Sequence, residues 1–319
     1  MSLSYLIMVI GSRAAGSFRG MRRWPSIGFA AFALVAGCYG SPTMATYQGG
    51  DYRETIAIGT WDRSFRVHVP TRATIGPVAP LILAFHGVGQ NAAQLESQTG
   101  LDAAAEAAGA IVVYPESALG SWDISGDFVE IFGINDMQFI RTMIDRLSSE
   151  YVIDRDHIIA VGLSNGAVFS QLLGCQMADV ITGFVSVAGT LPRPTRDACH
   201  PEKPVGALYI LGSNDSFFPV EGDDVVLSVD STLAFWAAEA RCSGKGPRIT
   251  LPDTARDGTI AYRTRYADCG TGGGVTLDSI ANSGHGWPGS LRVVAGISKN
   301  LSTNQEIIQF LMAGRSRPR

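Results

Sequence analysis

Gly162-Leu163-Ser164-Asn165-Gly166 fits the pattern G-x-S-x-G. A serine hydroxyl is a weak nucleophile until a base takes its proton, so the chemistry on offer is acyl transfer with a partner base. Context tests the pattern: a strand must run in and a helix must run out. His157-Ile158-Ile159-Ala160-Val161 reads as a β-branched strand and the run from Ala167 to Leu173 as a helix. The sharp turn between them thrusts Ser164 Oγ into the open. Gly162 and Gly166 remove side chains that would meet neighbouring backbone. The N-terminus of the helix faces the reaction and favours developing negative charge.

In this arrangement the acid and then the base follow the serine. The histidines are His68, His86, His157, His200 and His285, and only the last two come after Ser164. His200 sits beside Cys199 and Pro201 in a connecting segment. His285 lies in Ser283-Gly284-His285-Gly286-Trp287-Pro288, a glycine-rich loop that can carry an imidazole over the edge of a sheet. His285 is therefore the expected base. The strand reading Val205 to Leu211 ends in Gly212-Ser213-Asn214-Asp215, which makes Asp215 the expected acid, accepting from the imidazole Nδ1–H. Asp223 and Asp224 compete for that role but lie further out. A tetrahedral intermediate also needs two N–H donors. One is the backbone N–H of Asn165. The other comes from Phe85-His86-Gly87-Val88-Gly89-Gln90, with Val88 the candidate and Gly89 next. His86 is expected to shape this loop.

These residues need a scaffold that brings distant loops together. Residues 81–85, 110–114, 157–161, 181–187, 205–211 and 275–280 read as strands. Residues 91–108, 136–150, 165–176, 230–240 and 304–312 read as helices. The alternation predicts an α/β domain, a mostly parallel sheet with helices on both faces. Residues 55–59 and 64–69 predict a strand pair that adds an antiparallel edge. Residues 248–251 and 259–266 predict a second pair. Residues 115–135 carry no clear period and read as a loop.

Composition agrees with one globular domain: 46% of the 319 residues are hydrophobic and 17% are charged, which excludes a disordered or low-complexity chain. With 25 basic against 29 acidic residues there is no basic face, so nucleic acid is not an expected partner.

Residues 1–37 hold four arginines and no acid, and an apolar stretch runs from Trp24 into Leu34-Val35-Ala36-Gly37-Cys38. A positive start, a short apolar run and small residues before a cut describe an export signal. The run is too short to span a bilayer. Small residues directly before a cysteine match a bacterial lipobox, with Cys38 lipidated as the first mature residue; cleavage after Ala45, with Cys38 discarded, is the alternative. Met21 is a second candidate start. The expected division is a signal over 1–37, a linker over 38–53 and a catalytic domain over 54–319. The only expected membrane contact is a lipid on Cys38.

Beyond Cys38 lie Cys175, Cys199, Cys242 and Cys269. An even set in an exported chain reads as disulfides, with three connectivities open. Pairing of sequence neighbours, Cys175–Cys199 and Cys242–Cys269, is the one expected here. No Cys/His cluster has metal-ligand spacing, so neither metal nor cofactor is expected.

The combination of Leu81–Gln90 (LILAFHGVGQ), Asn135–Phe139 (NDMQF), Ile153–Ala167 (IDRDHIIAVGLSNGA), Leu211–Pro219 (LGSNDSFFP) and Ser283–Gly289 (SGHGWPG) resembles the exported α/β-hydrolases grouped as poly(3-hydroxybutyrate) depolymerases and feruloyl or acetylxylan esterases. The resemblance spans about residues 80–290. It implies the α/β-hydrolase fold, a serine ester hydrolase working through an acyl-enzyme, and Ser164, Asp215 and His285 as nucleophile, acid and base. It also aligns the oxyanion loop with His86-Gly87-Val88 and is in keeping with the two cysteine pairings. The chain departs from the pattern in its acid loop, at Asn135 where Asp is common, and in residues 115–135, which lack the Cys-rich stretch many relatives carry after Ser121-Trp122.

Trp122, Phe128, Phe132, Phe217, Phe218 and Trp287 fall on loops expected near the site. Trp122 and above all Trp287 are expected to bind substrate, a small or polymeric ester. The competing readings are an exported peptidase or thioesterase on the same triad, and a non-catalytic envelope binding protein.

Overall fold

A computed structural model describes residues 49–71, 78–270 and 274–313, all within one compact unit that extends over Tyr47–Arg319. The expected signal and Cys38 lie outside the described residues.

The described residues open with β1 (Gly50–Ile58) and β2 (Trp61–Val69), an antiparallel hairpin. Then come β3 (Ala79–Phe85), α1 (Ala92–Thr99), α2 (Leu101–Ala108), β4 (Ile111–Pro115), α3 (Asp127–Phe132) and α4 (Asp136–Glu150). The elbow follows as β5 (Ile153–Leu163) and α5 (Asn165–Gln176), then β6 (Gly183–Val187), α6 (Arg193–Ala198), β7 (Gly206–Gly212) and α7 (Val229–Glu239). β8 (Gly244–Thr250), β9 (Ile260–Ala267), β10 (Val275–Ala281) and α8 (Thr303–Ala313) complete the described fold.

The strands form one sheet in the order β1-β2-β4-β3-β5-β6-β7-β10-β9-β8. From β4 to β10 neighbours are parallel; β1, β2, β9 and β8 add antiparallel edges. This is the α/β-hydrolase architecture.

Every residue of β3 is buried, and its side chains alternate between two apolar layers. Leu81, Leu83 and Phe85 pack with α4, α5 and α7 on one face, whereas Ile82 and Ala84 pack with α1, α2 and α8 on the other. A strand covered on both faces must be apolar at both parities, which is why it reads as an unbroken run.

Three expectations are corrected. The single helix over 91–108 is two helices, because Gly100 takes a left-handed φ of 58° and caps the first. The linker expected to reach residue 53 ends sooner, since Gly50–Arg53 already pairs with β2. The loop 115–135 contains α3, whose first turn is held by Asp123: its carboxylate accepts from Gly126 N at 2.7 Å and Phe128 N at 3.0 Å.

Parallel neighbours put the functional loops on one edge. Phe85 is in register with Gly162, and Gly212 with Ile280. The loops leaving β3, β5, β7 and β10 therefore all emerge at the C-terminal ends of the parallel strands, where ligands bind in such sheets.

Candidate active site

Ser164 sits between β5 and α5 with φ 58° and ψ −118°, a backbone conformation that costs a non-glycine residue on the order of 1–3 kcal/mol. The turn is closed by backbone crossing at contact distance. A Cβ on Gly162 would lie 2.0 Å from Gly166 O, and one on Gly166 would lie 2.3 Å from Phe85 O. Both positions therefore admit only glycine.

Asp215 Oδ2 lies 2.8 Å from His285 Nδ1. The other oxygen, Oδ1, accepts from Phe217 N at 2.9 Å and Phe218 N at 3.0 Å, so the buried carboxylate is held at both ends. The loops that carry the pair are laced together. Asn214 N donates to Ser283 O at 2.8 Å and Asn282 N to Ser213 Oγ at 3.0 Å. Gly212 lets them meet, since a Cβ there would come within 2.3 Å of Ser283 O. The imidazole is flanked by the Phe217 ring at 4.8 Å and by the Phe218 ring, nearly parallel to it, at 5.9 Å.

Ser164 Oγ makes no hydrogen bond to His285 or to any other described residue. Such contacts often tighten only when substrate arrives. Asp223 has a different part: its carboxylate accepts from Val225 N and Val226 N in a turn. His200 is exposed after α6, and His157 pairs with Asp154 near the start of β5.

The β3 loop lies against the elbow, with a Cβ on Gly87 falling 3.4 Å from Ser164 Cβ. In this loop Gly87 N donates to Gln90 Oε1, Gly89 N to Gly120 O and Gln90 N to Gly87 O. Val88 N donates to none of the described residues, which separates it from Gly89. Asn165 N is the first amide of α5 and has no acceptor within the helix.

His86 is fully buried. Its Nδ1 lies 2.9 Å from Gly87 O, and its Nε2 accepts from Ser117 N at 3.2 Å, which assigns the proton to Nδ1. Burial pushes its pKa below the ordinary histidine value. It is a neutral part of the loop.

The two tryptophans expected to bind substrate do not face a cleft. Trp122 and Trp287 are each 1% exposed. Trp122 packs between Phe85 and Phe169, and Trp287 donates from Nε1 to Asn304 Oδ1 at 3.1 Å beneath α8. Phe217, at 43% exposure, is the aromatic open to solvent beside His285.

Cys175 is bonded to Cys199 and Cys242 to Cys269. Among the described residues, one group has cation-ligand geometry: Asp51, His68 and Asp102, with ligand atoms within 4.8 Å of one another. It lies on the edge hairpin and α2, not on the loops of Ser164, Asp215 and His285, and His68 Nδ1 is already engaged by Asp51 at 2.8 Å.

No family model matches the chain. A protein named "Putative esterase NocK", from Nocardia uniformis subsp. tsuyamanensis, is 30% identical over 285 residues, 82% of this chain and 82% of its own length. "Feruloyl esterase B" from Piromyces equi is 28% identical over 238 residues, 70% of this chain and 42% of its own length. Among solved structures, an acetyl xylan esterase from Aspergillus awamori matches with a TM-score of 0.58 at 14% identity, covering 81% of this chain and 99% of that one, a likeness in fold. Sequence and architecture agree, and the chain belongs to the α/β-hydrolase family of feruloyl and acetylxylan esterases and poly(3-hydroxybutyrate) depolymerases.

Proposed function

We propose that the protein is an exported serine carboxylic-ester hydrolase working through an acyl-enzyme on Ser164. The observation that carries this reading is the hydrogen bond from His285 to the buried Asp215 carboxylate on the same sheet edge as a strained serine elbow. Ser164 Oγ attacks the ester carbonyl while His285 Nε2 takes its proton. The oxyanion accepts from Val88 N–H and Asn165 N–H. Collapse expels the alcohol, protonated by His285, and leaves the acyl group on Ser164. His285 then activates water to release the acid. Asp215 holds the imidazole in the tautomer with Nδ1 protonated and stabilises the imidazolium.

Val88, Leu119 and Phe217 are exposed apolar side chains, on the oxyanion loop, the segment bonded to it and the acid loop. They favour an ester with an apolar or aromatic acyl group, a class that includes the feruloyl and hydroxyalkanoyl esters named for relatives. Two disulfides support an oxidising compartment outside the cytoplasm. Lipidation of Cys38 is the proposed anchor; growth on labelled palmitate should label the protein, and a Cys38→Ala variant should not be labelled.

Ser164→Ala should reduce p-nitrophenyl acetate hydrolysis to background while leaving thermal unfolding unchanged. Full hydrolysis by that variant overturns the proposal.

A further inference from the structure

We propose that Trp122 is a positioning residue for the oxyanion hole: it clasps together the two loops that carry the Val88 and Asn165 donors. The inference rests on the serine-esterase reading above.

The clasp has two halves. On the elbow side, Trp122 N donates to Asn165 Oδ1 at 2.7 Å, and Asn165 Nδ2 donates back to Trp122 O at 3.3 Å. On the side of the β3 loop, Trp122 Nε1 donates to His86 O at 3.0 Å. One residue thus bonds the donor at the start of α5 and the peptide two residues before Val88. Its ring stacks on Phe169 of α5 at 5.0 Å and meets Phe85 of β3 edge-on at 5.2 Å, so packing ties the same two elements.

The hydrogen bonds also fix where Val88 N–H points. A trans peptide is planar, with C=O and N–H on opposite sides. No described peptide is cis. The His86 carbonyl is aimed at the Trp122 indole, so the Gly87 N–H points the other way, to Gln90 Oε1 at 3.1 Å. Gly87 O is held by the His86 ring and by Gln90 N, so Val88 N–H is turned to the opposite side. Gly89 N is tied to Gly120 O at 2.8 Å, two residues before Trp122. The Val88 amide is the one left over, and the segment 120–122 brackets it on both sides.

Two amides that must converge on one oxygen lose their value if either drifts. Removing one oxyanion donor typically costs about 10²–10³ in kcat, and a misplacement near 1 Å about 10². Trp122 touches no substrate; it acts through the donors. This accounts for a tryptophan that is only 1% exposed in a loop without period.

The test is Trp122→Phe, which keeps a ring in the core and removes the Nε1–H bond. Rates are taken per active site, counted by fluorophosphonate titration, well below the unfolding temperature. We expect kcat to fall about 10- to 100-fold, KM for p-nitrophenyl acetate to change less than about threefold, and a trifluoromethyl ketone to bind more weakly by the same factor as the loss in kcat/KM. That inhibitor reports on the hole directly. Ser164 Oγ bonds to its carbonyl carbon, the C=O π pair moves to oxygen as the oxyanion, and the serine proton goes to His285. A merely structural role would lower the unfolding temperature and leave all three values unchanged, and that result overturns the inference. If Trp122→Phe does not fold, Asn165→Ala decides, because it breaks the clasp from the other side and keeps the Asn165 backbone amide; it should lose kcat and inhibitor affinity in parallel. Ser164→Ala separates the two claims. If it is inactive and the clasp variants are fully active, this inference alone fails. If it retains full hydrolysis, the serine reading fails first.

Discussion

Asp215 grips His285 with one carboxylate oxygen, at 2.8 Å from Nδ1, and is itself gripped by two amides at the other. The imidazole can therefore present only Nε2 as the basic nitrogen. Asp215→Asn should keep the turn, because an amide oxygen can still accept from Phe217 N and Phe218 N. The amide nitrogen then faces Nδ1 and favours the wrong tautomer. We expect kcat to fall on the order of 10³- to 10⁴-fold with KM nearly unchanged, read by steady-state kinetics on p-nitrophenyl acetate.

Gly162 is a packing constraint of the elbow. An added Cβ would sit 2.0 Å from Gly166 O, inside the backbone, where nothing flexible can yield. Gly162→Ala should cost more than about 4 kcal/mol and yield little soluble protein. Gly244→Ala is the control: its Cβ meets nothing within 4 Å, and its effect should stay within about 0.5 kcal/mol in urea unfolding.

Phe217 is the exposed ring beside His285, 4.8 Å from the imidazole. Phe217→Ala should lower kcat/KM for p-nitrophenyl butyrate roughly 10-fold and change that for acetate less than about threefold, because only the longer acyl chain reaches the missing surface. Equal losses on both substrates would move Phe217 from acyl recognition to support of His285.

His86 predicts a pH dependence of stability. Its folded pKa is depressed by burial, so the unfolded chain binds the proton first as pH falls below about 6.5. The stability it contributes is present above the unfolded value and is lost as pH falls toward the folded value. Glu116, 3.6 Å from Nε2, and Asp136 oppose the shift without reversing it. Unfolding temperature should therefore drop more steeply from pH 7 to pH 5 in the wild type than in His86→Gln.

The two disulfides close separations of 24 and 27 residues. Cys175–Cys199 is buried, and Cys242–Cys269 ties the end of α7 to the end of β9. Replacing both members of either pair by alanine should cost about 2–5 kcal/mol. Thermal unfolding of each double variant, against wild type with and without reductant, measures this.

The strand–turn–helix at Ser164 and the loops that carry Asp215 and His285 were readable in the sequence because each depends on local pattern: a β-branched run into Gly162, a strand ending near Asp215, a glycine-rich loop around His285. The sheet's core strands were readable for the same reason, since β3 must be apolar at both parities. Most of what differs from the sequence reading depends on partners distant in sequence. Trp122 and Trp287 look like cleft aromatics until Phe169 and Asn304 are seen to cover them. β1 begins within a polar stretch, Asp51 to Glu54, because only every second side chain is partly buried and its neighbour β2 supplies the ladder. The break at Gly100 was written in its residue type, yet the alanine-rich flanks masked it. Val88 was already the candidate ahead of Gly89; what no spacing reveals is that Gly89 N is taken by the Gly120 carbonyl.

The most direct test of the account is the intact mass of the protein after reaction with a fluorophosphonate. Ser164 Oγ should displace fluoride at phosphorus, giving one adduct per chain, mapped to the peptide that contains Ser164, with ester hydrolysis lost in proportion. Ser164→Ala should carry no adduct and no activity. An adduct on another residue, or undiminished ester hydrolysis by fully labelled protein, would contradict it.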